Sequence, residues 1–85
     1  MVIRLILLET AGCHLCEQAL VIVNQCGLED HNLFIENIDI AEFPEWQEKY
    51  AIRIPVLFHP ETQTDLGWPF NQADVKAFIE ALRND

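Results

Sequence analysis

The stretch Val2-Ile3-Arg4-Leu5-Ile6-Leu7-Leu8-Glu9-Thr10-Ala11-Gly12-Cys13-His14-Leu15-Cys16 decides the fold. Its first half is an apolar run broken only by Arg4, which suits a strand buried on both faces. Thr10-Ala11-Gly12 punctuates the chain, and from Cys13 to Cys26 the period becomes helical. Leu15, Ala19, Ile22 and Cys26 recur at helical spacing, with Leu20 and Val23 widening the stripe. Gly27 stands where a left-handed helix stop is expected. Leu33-Phe34-Ile35-Glu36-Asn37-Ile38 then reads as a second strand. Strand, helix and strand within roughly 35 residues make a right-handed βαβ unit with parallel strands.

Outward from that unit, Pro44 opens a short helix whose inner face takes Phe43, Trp46 and Tyr50, with Glu42, Glu45 and Glu48 turned outward. Pro55-Val56-Leu57-Phe58 is a third strand, Pro60-Glu61-Thr62-Gln63 a turn, and Thr64-Asp65-Leu66 a fourth strand returning antiparallel. Asn71, with Asp74 three positions on, reads as an N-cap followed by an acidic first turn. Val75, Phe78, Ile79 and Leu82 follow at i, i+3, i+4 and i+7. The expected architecture is α/β in the order β-α-β-α-β-β-α, one sheet with helices on both faces, as a single domain over residues 1–85.

Composition narrows the function. With 85 residues, 51% of them hydrophobic, the chain can bury one core and little more. Fourteen acidic against five basic side chains give a formal net charge of −9. That charge repels phosphate backbones and anionic lipid, so neither nucleic acid nor membrane is an expected partner. The N-terminal apolar run is too short for a signal-peptide core, and no segment approaches the roughly 20 apolar residues of a membrane span. The expected compartment is the reducing cytosol, and the expected state a monomer. Three cysteines leave one over in any pairing, so Cys13-His14-Leu15-Cys16 reads as catalytic or metal-binding rather than as a structural staple.

Placement separates these readings. Cys13 falls at a helix N-terminus, where unpaired N–H groups and the macrodipole favour an anion, so its thiol pKa should lie below that of a free cysteine. Cys16, one turn further in and on the same face, is more shielded. Cys13 is therefore the expected nucleophile and Cys16 the resolving thiol. A zinc site needs two more ligands from His14, Cys26, His31 and His59, none of which forms a second close pair, so no metal is expected. Cys26 on the apolar stripe reads as a buried, inert thiol, and His31 and His59 as solvated.

Gly12-Cys13-His14-Leu15-Cys16-Glu17 and Arg53-Ile54-Pro55-Val56-Leu57 resemble the two signatures of the glutaredoxin-like family of the thioredoxin superfamily, and more narrowly its short bacterial members. The resemblance extends to Gly67-Trp68-Pro69-Phe70. It implies a thioredoxin-like fold, a four-stranded mixed sheet with three helices, and thiol–disulfide exchange. It also implies a cis Ile54–Pro55 bond beside the dithiol, with the Ile54 backbone docking the substrate. From the residues alone, an ordinary trans proline opening a strand is the alternative.

Two departures bear on substrate. Glutaredoxins usually carry Pro-Tyr between the cysteines, where this chain has His14-Leu15. His14 either tunes the thiolate or is simply an exposed polar residue. The paired glycines and acidic pair that usually hold glutathione are reduced here to Gly67 followed by Trp68-Pro69-Phe70. Trp68 either lines an apolar rim for a protein substrate or closes the core, and Arg53 either attracts a thiolate or lies on the surface. Expected partners are disulfide-containing proteins or glutathione, plus a reductase of the thioredoxin or glutathione system. No bound cofactor is expected, with glutathione a candidate reductant. The competing reading is a non-catalytic interaction or redox-sensing module on the same fold.

Overall fold

In the computed structural model, which describes residues 2–83, seven main elements follow the expected order. They are β1 (Ile3–Glu9), α1 (His14–Glu29), β2 (Leu33–Asp39), α2 (Pro44–Tyr50), β3 (Val56–His59), β4 (Thr64–Gly67) and α3 (Gln72–Arg83). A 3-10 turn over Ile40–Glu42 leads into α2. Positions 1, 84 and 85 of the expected domain lie outside the described residues. The sheet order is β2-β1-β3-β4. β1 pairs parallel with β2 and antiparallel with β3, and β3 pairs antiparallel with β4. This is the four-stranded mixed sheet with three helices that the sequence implies. Among the described residues no helix is long and apolar enough to cross a membrane.

Alternation along β1 divides the interior in two. Ile3, Leu5 and Leu7 enter a cluster with Ala19, Val23 and Cys26 of α1 and Val75 and Ile79 of α3. Ile6 and Leu8 enter a second cluster with Ile40, Tyr50, Val56 and Phe58. Because both faces are covered, β1 is apolar without interruption between Leu5 and Leu8, all buried. On the second face Trp46 meets Phe58 edge-on at 5.2 Å and stacks on Tyr50 at 5.8 Å. Tyr50 Oη donates to Asp65 Oδ2 at 3.1 Å, so the buried phenol is satisfied. On the first face α3 starts as expected: Asp74 N–H donates to Asn71 Oδ1 at 2.9 Å, and Asn71 N–H to Asp74 Oδ2 at 3.0 Å.

Four expectations require correction. The buried stripe of α1 is Cys16, Ala19, Val23 and Cys26, whereas Leu15 is 45% exposed and Ile22 and Leu20 sit at the cluster's edge. Small side chains face the sheet because they let the helix lie close to it. Gly27 does not stop α1. The helix runs on to Glu29 and is capped by Asp30, whose carboxylate accepts from Asn32 N–H and from Arg83 of α3. A Cβ at Gly27 would stand 3.4 Å from Ile35 Cδ1, so its bareness serves the approach to β2. Phe43 is 39% exposed because it caps α2 from outside rather than packing beneath it. His59 is buried at 5% exposure, its Nδ1 2.7 Å from Thr62 Oγ1, so the turn satisfies a ring that the sequence places in solvent.

Leu7 on the central strand has no exposed surface. Leu7→Ala is expected to cost about 2–5 kcal/mol, a large part of the stability of so small a domain. The denaturant midpoint, followed by circular dichroism, should fall with little change in slope.

Candidate functional site

β1 ends at Glu9, where its buried apolar run Leu5–Leu8 stops, and Thr10-Ala11-Gly12 carries the chain over the sheet edge. Gly12 makes the turn at φ +77°, in the left-handed region that an L side chain resists. Cys13 is then the N-cap of α1, with extended backbone, half-buried, its Sγ accepting from Cys16 N–H at 3.1 Å. Its carbonyl accepts from Glu17 N–H at 3.2 Å. Cys16 is one turn inside α1 at 3% exposure. The two cysteines are disulfide-bonded, their Cα atoms 5.2 Å apart. When the bond opens, the same amide and helix terminus face a Cys13 thiolate, and both favour the anion.

The sheet edge beneath the dithiol is a row of four residues. Glu9 of β1 stands opposite Asp39 of β2. Continuing the β1–β3 register of Leu8 with Val56 by one position sets Glu9 against Pro55. Continuing the β3–β4 register of Val56 with Gly67 sets Pro55 against Trp68, whose N–H donates to the Pro55 carbonyl at 3.2 Å. Trp68 packs against the α1/α3 cluster and meets buried Phe70 edge-on at 5.1 Å, so it closes the core at this edge. The Ile54–Pro55 and Trp68–Pro69 bonds are cis, and Pro55 is fully buried. Ile54 donates its N–H to the Tyr50 carbonyl at 3.1 Å. A groove of about 450 Å³ lined by Thr10, Ile40, Pro44, Gln47 and Ala51 opens beside Ile54.

The remaining expected site residues are more dispersed. The His14 side chain is 94% exposed, its Nδ1 3.7 Å from Glu17 Oε2 one turn on. Arg53 donates to Asp65 Oδ1 at 3.0 Å and lies over the Tyr50 ring, tied to the α2 face of the sheet. Cys26 is buried ten residues beyond Cys16, about 15 Å along the helix. Burial pushes its thiol up, Glu29 adds to this, and Lys76 opposes it. Among the described residues His, Cys, Asp and Glu gather nowhere as a group of three or more that could hold a metal ion.

The residue that sequence reading missed is Glu9. Its Oε2 is buried and has no hydrogen-bond partner. Desolvation raises its pKa, and the Asp39 charge raises it further. The available sequence signal is parity: Glu9 is two positions past Leu7 and so falls on the same buried face.

Comparison with known proteins places the chain. The family described as Glutaredoxin-like domain (DUF836) matches residues 4–80, and the chain belongs to it. An X-ray structure of protein XcR50 from X. campestris is 28% identical with a TM-score of 0.77, covering 91% of this chain and 96% of that one. A solution structure of XcR50 is 30% identical with a TM-score of 0.72, covering 91% and 92%. The solution structure of protein Ne2328 from Nitrosomonas europaea shares the fold at 23% identity, with a TM-score of 0.76 and 92% of each chain covered. These are neighbours of the thioredoxin-like type. No curated protein matches the chain.

A carboxyl with a raised pKa binds its proton more tightly in the folded state than in the unfolded chain, so ionising Glu9 costs stability. That cost is absent below the unfolded carboxylate range and grows as pH rises through the window up to the folded pKa. Thermal melts of the wild type and Glu9→Gln from about pH 4 to pH 8 should show a gap in favour of Glu9→Gln that widens with pH. A constant gap would contradict the assigned burial.

Proposed function

We propose that this glutaredoxin-like domain is a thiol–disulfide oxidoreductase that cycles through the Cys13–Cys16 pair. The observation that carries the reading is the asymmetry of the pair. Cys13 is accessible at the helix N-cap with an amide on its sulfur, and Cys16 is buried within bonding reach. Cys13 thiolate attacks one sulfur of a substrate disulfide, forming a mixed disulfide and releasing one substrate thiolate. Cys16 then attacks Cys13 Sγ, the Cys13–Cys16 bond forms, and the second substrate thiolate leaves. A reductant returns the pair to the dithiol. Net direction follows the reduction potentials of the pair and its partners.

Ile54, which lines the groove with Thr10 and Pro44, serves in this reading to offer its backbone to the substrate like an added strand. Trp68 serves as part of the core rather than as a docking rim. The exposed His14 has Glu17 as its near charged neighbour. Arg53 fastens the segment before Pro55 to Asp65 instead of reaching a sulfur. The net charge of −9 favours protein substrates with a basic or neutral face over anionic glutathione as the docked partner. Glutathione or a thioredoxin-type reductase is then the source of electrons, in a reducing compartment. No bound cofactor or metal enters the cycle.

Cys13→Ser is expected to abolish exchange. Cys16→Ser is expected to accumulate a mixed disulfide through Cys13, visible as an added mass on the intact protein. Accumulation in Cys13→Ser and none in Cys16→Ser would reverse the two roles.

A further inference from the structure

The groove of about 450 Å³ beside Ile54 holds one charged side chain that the cycle above leaves without a task. Ile40, Pro44, Ala51 and Ile54 give the groove apolar walls, and Glu48 of α2 is the ionisable residue on its lining. Glu48 is exposed and forms no ion pair among the described residues. The cations that follow it in the chain are engaged elsewhere: Lys49 Nζ lies over the Tyr50 ring at 5.4 Å from its centroid, and Arg53 is held by Asp65. A second cavity, of about 290 Å³ between α1 and α3, differs in this respect. Its Glu29 and Asp30 are already paired with Lys76 and Arg83.

We infer that this groove is a subsite for a lysine or arginine side chain of a disulfide-containing protein, with Glu48 as the residue that selects it. The inference rests on the oxidoreductase reading. Apolar walls beside a single free carboxylate match the two parts of such a side chain, a methylene stem and a charged tip. Because Glu48 is exposed, the paired tip stays in contact with water, and neither charge bears the desolvation cost of a buried pair. An acidic side chain in the same place would meet Glu48 as a like charge, with a net charge of −9 behind it.

Chain geometry keeps the groove within reach of the reacting sulfur. Thr10, on the lining, is three residues before Cys13, so their Cα atoms are at most about 11 Å apart. The turn at Gly12 shortens that distance further. An extended substrate advances about 3.3 Å per residue. A long side chain two or three residues from the substrate cysteine therefore reaches the groove while that cysteine is at Cys13. Ile54 borders the same groove, and its backbone holds the segment along that line. The substrate class this selects is a protein disulfide with a basic residue close to one of its cysteines.

The test is the second-order rate at which the reduced protein reacts with symmetric disulfide dimers of a short peptide. The peptide carries Lys, norleucine or Glu at both positions two removed from its cysteine. Each rate is divided by that of dithiothreitol with the same peptide, which removes the peptide's own reactivity. The Lys peptide should react about fivefold faster than the Glu peptide, the upper range for an exposed ion pair, and the ratio should fall toward one at about 1 M salt. Glu48→Lys should abolish or invert the preference. Glu61→Lys makes the same charge change in the exposed β3–β4 turn, at the other end of β3 from Pro55, and should leave the ratio within about twofold. An equal ratio in wild type and Glu48→Lys, an equal shift in Glu61→Lys, or a norleucine peptide faster than the Lys peptide would overturn the subsite while leaving the oxidoreductase reading intact. A wild type that reacts with none of the peptides would overturn that reading and this inference together.

Discussion

The whole arrangement depends on burying β1 on both faces. Leu5, Leu7 and Leu8 are each at or below 1% exposure. Each such side chain contributes about 1.5–3 kcal/mol on burial, against a total stability on the order of 5–15 kcal/mol for a domain. A strand of this kind must be flanked by other strands and covered from two sides. β2 and β3 therefore border it, α1 and α3 cover one face, and α2 covers the other. Where the apolar run ends, the chain has to leave the sheet, and Gly12 turns it directly into a helix. The dithiol is at the sheet edge because the core ends there.

That position sets two opposed electrostatic demands on neighbouring sulfurs. Cys13 gains from the helix terminus and the Cys16 amide, both in direct contact. The net charge of −9 works against another anion, but charges beyond about 8 Å are largely screened at physiological salt. The local donors therefore decide the state of Cys13. Cys16 is buried one turn further into α1, where an unpaired charge is costly.

Much of this was legible in the residues. The uninterrupted run of β1, the helical spacing of Val75, Phe78, Ile79 and Leu82, and the Asn71/Asp74 pair each carry one period or one cap, and each element formed as read. The inner stripe of α1 was not legible, because hydropathy ranks Leu15 and Ile22 above Cys16 and Ala19, while close packing on a sheet selects the smaller side chains. The end of α1 was misread at Gly27 since nothing local distinguishes a glycine that stops a helix from one that lets it touch β2. His59 became buried through a hydroxyl three residues away, Thr62, which a polar turn does not advertise. Glu9 escaped notice because its meaning lies in the pairing with Asp39 and in the register toward Pro55, neither of which is a local property.

The central claim is that Cys13 and Cys16 form a reversible redox pair. Its most direct test equilibrates the protein in graded glutathione redox buffers, followed by acid quenching, alkylation and intact mass. The account predicts a smooth, reversible conversion between a Cys13/Cys16 dithiol form and a Cys13–Cys16 disulfide form that carries two fewer alkyl groups, with its midpoint within the span of known thiol–disulfide oxidoreductases, about −270 to −120 mV. Cysteines that remain fully reduced and unmodified across the whole series would contradict it, and leave the fold as an interaction module.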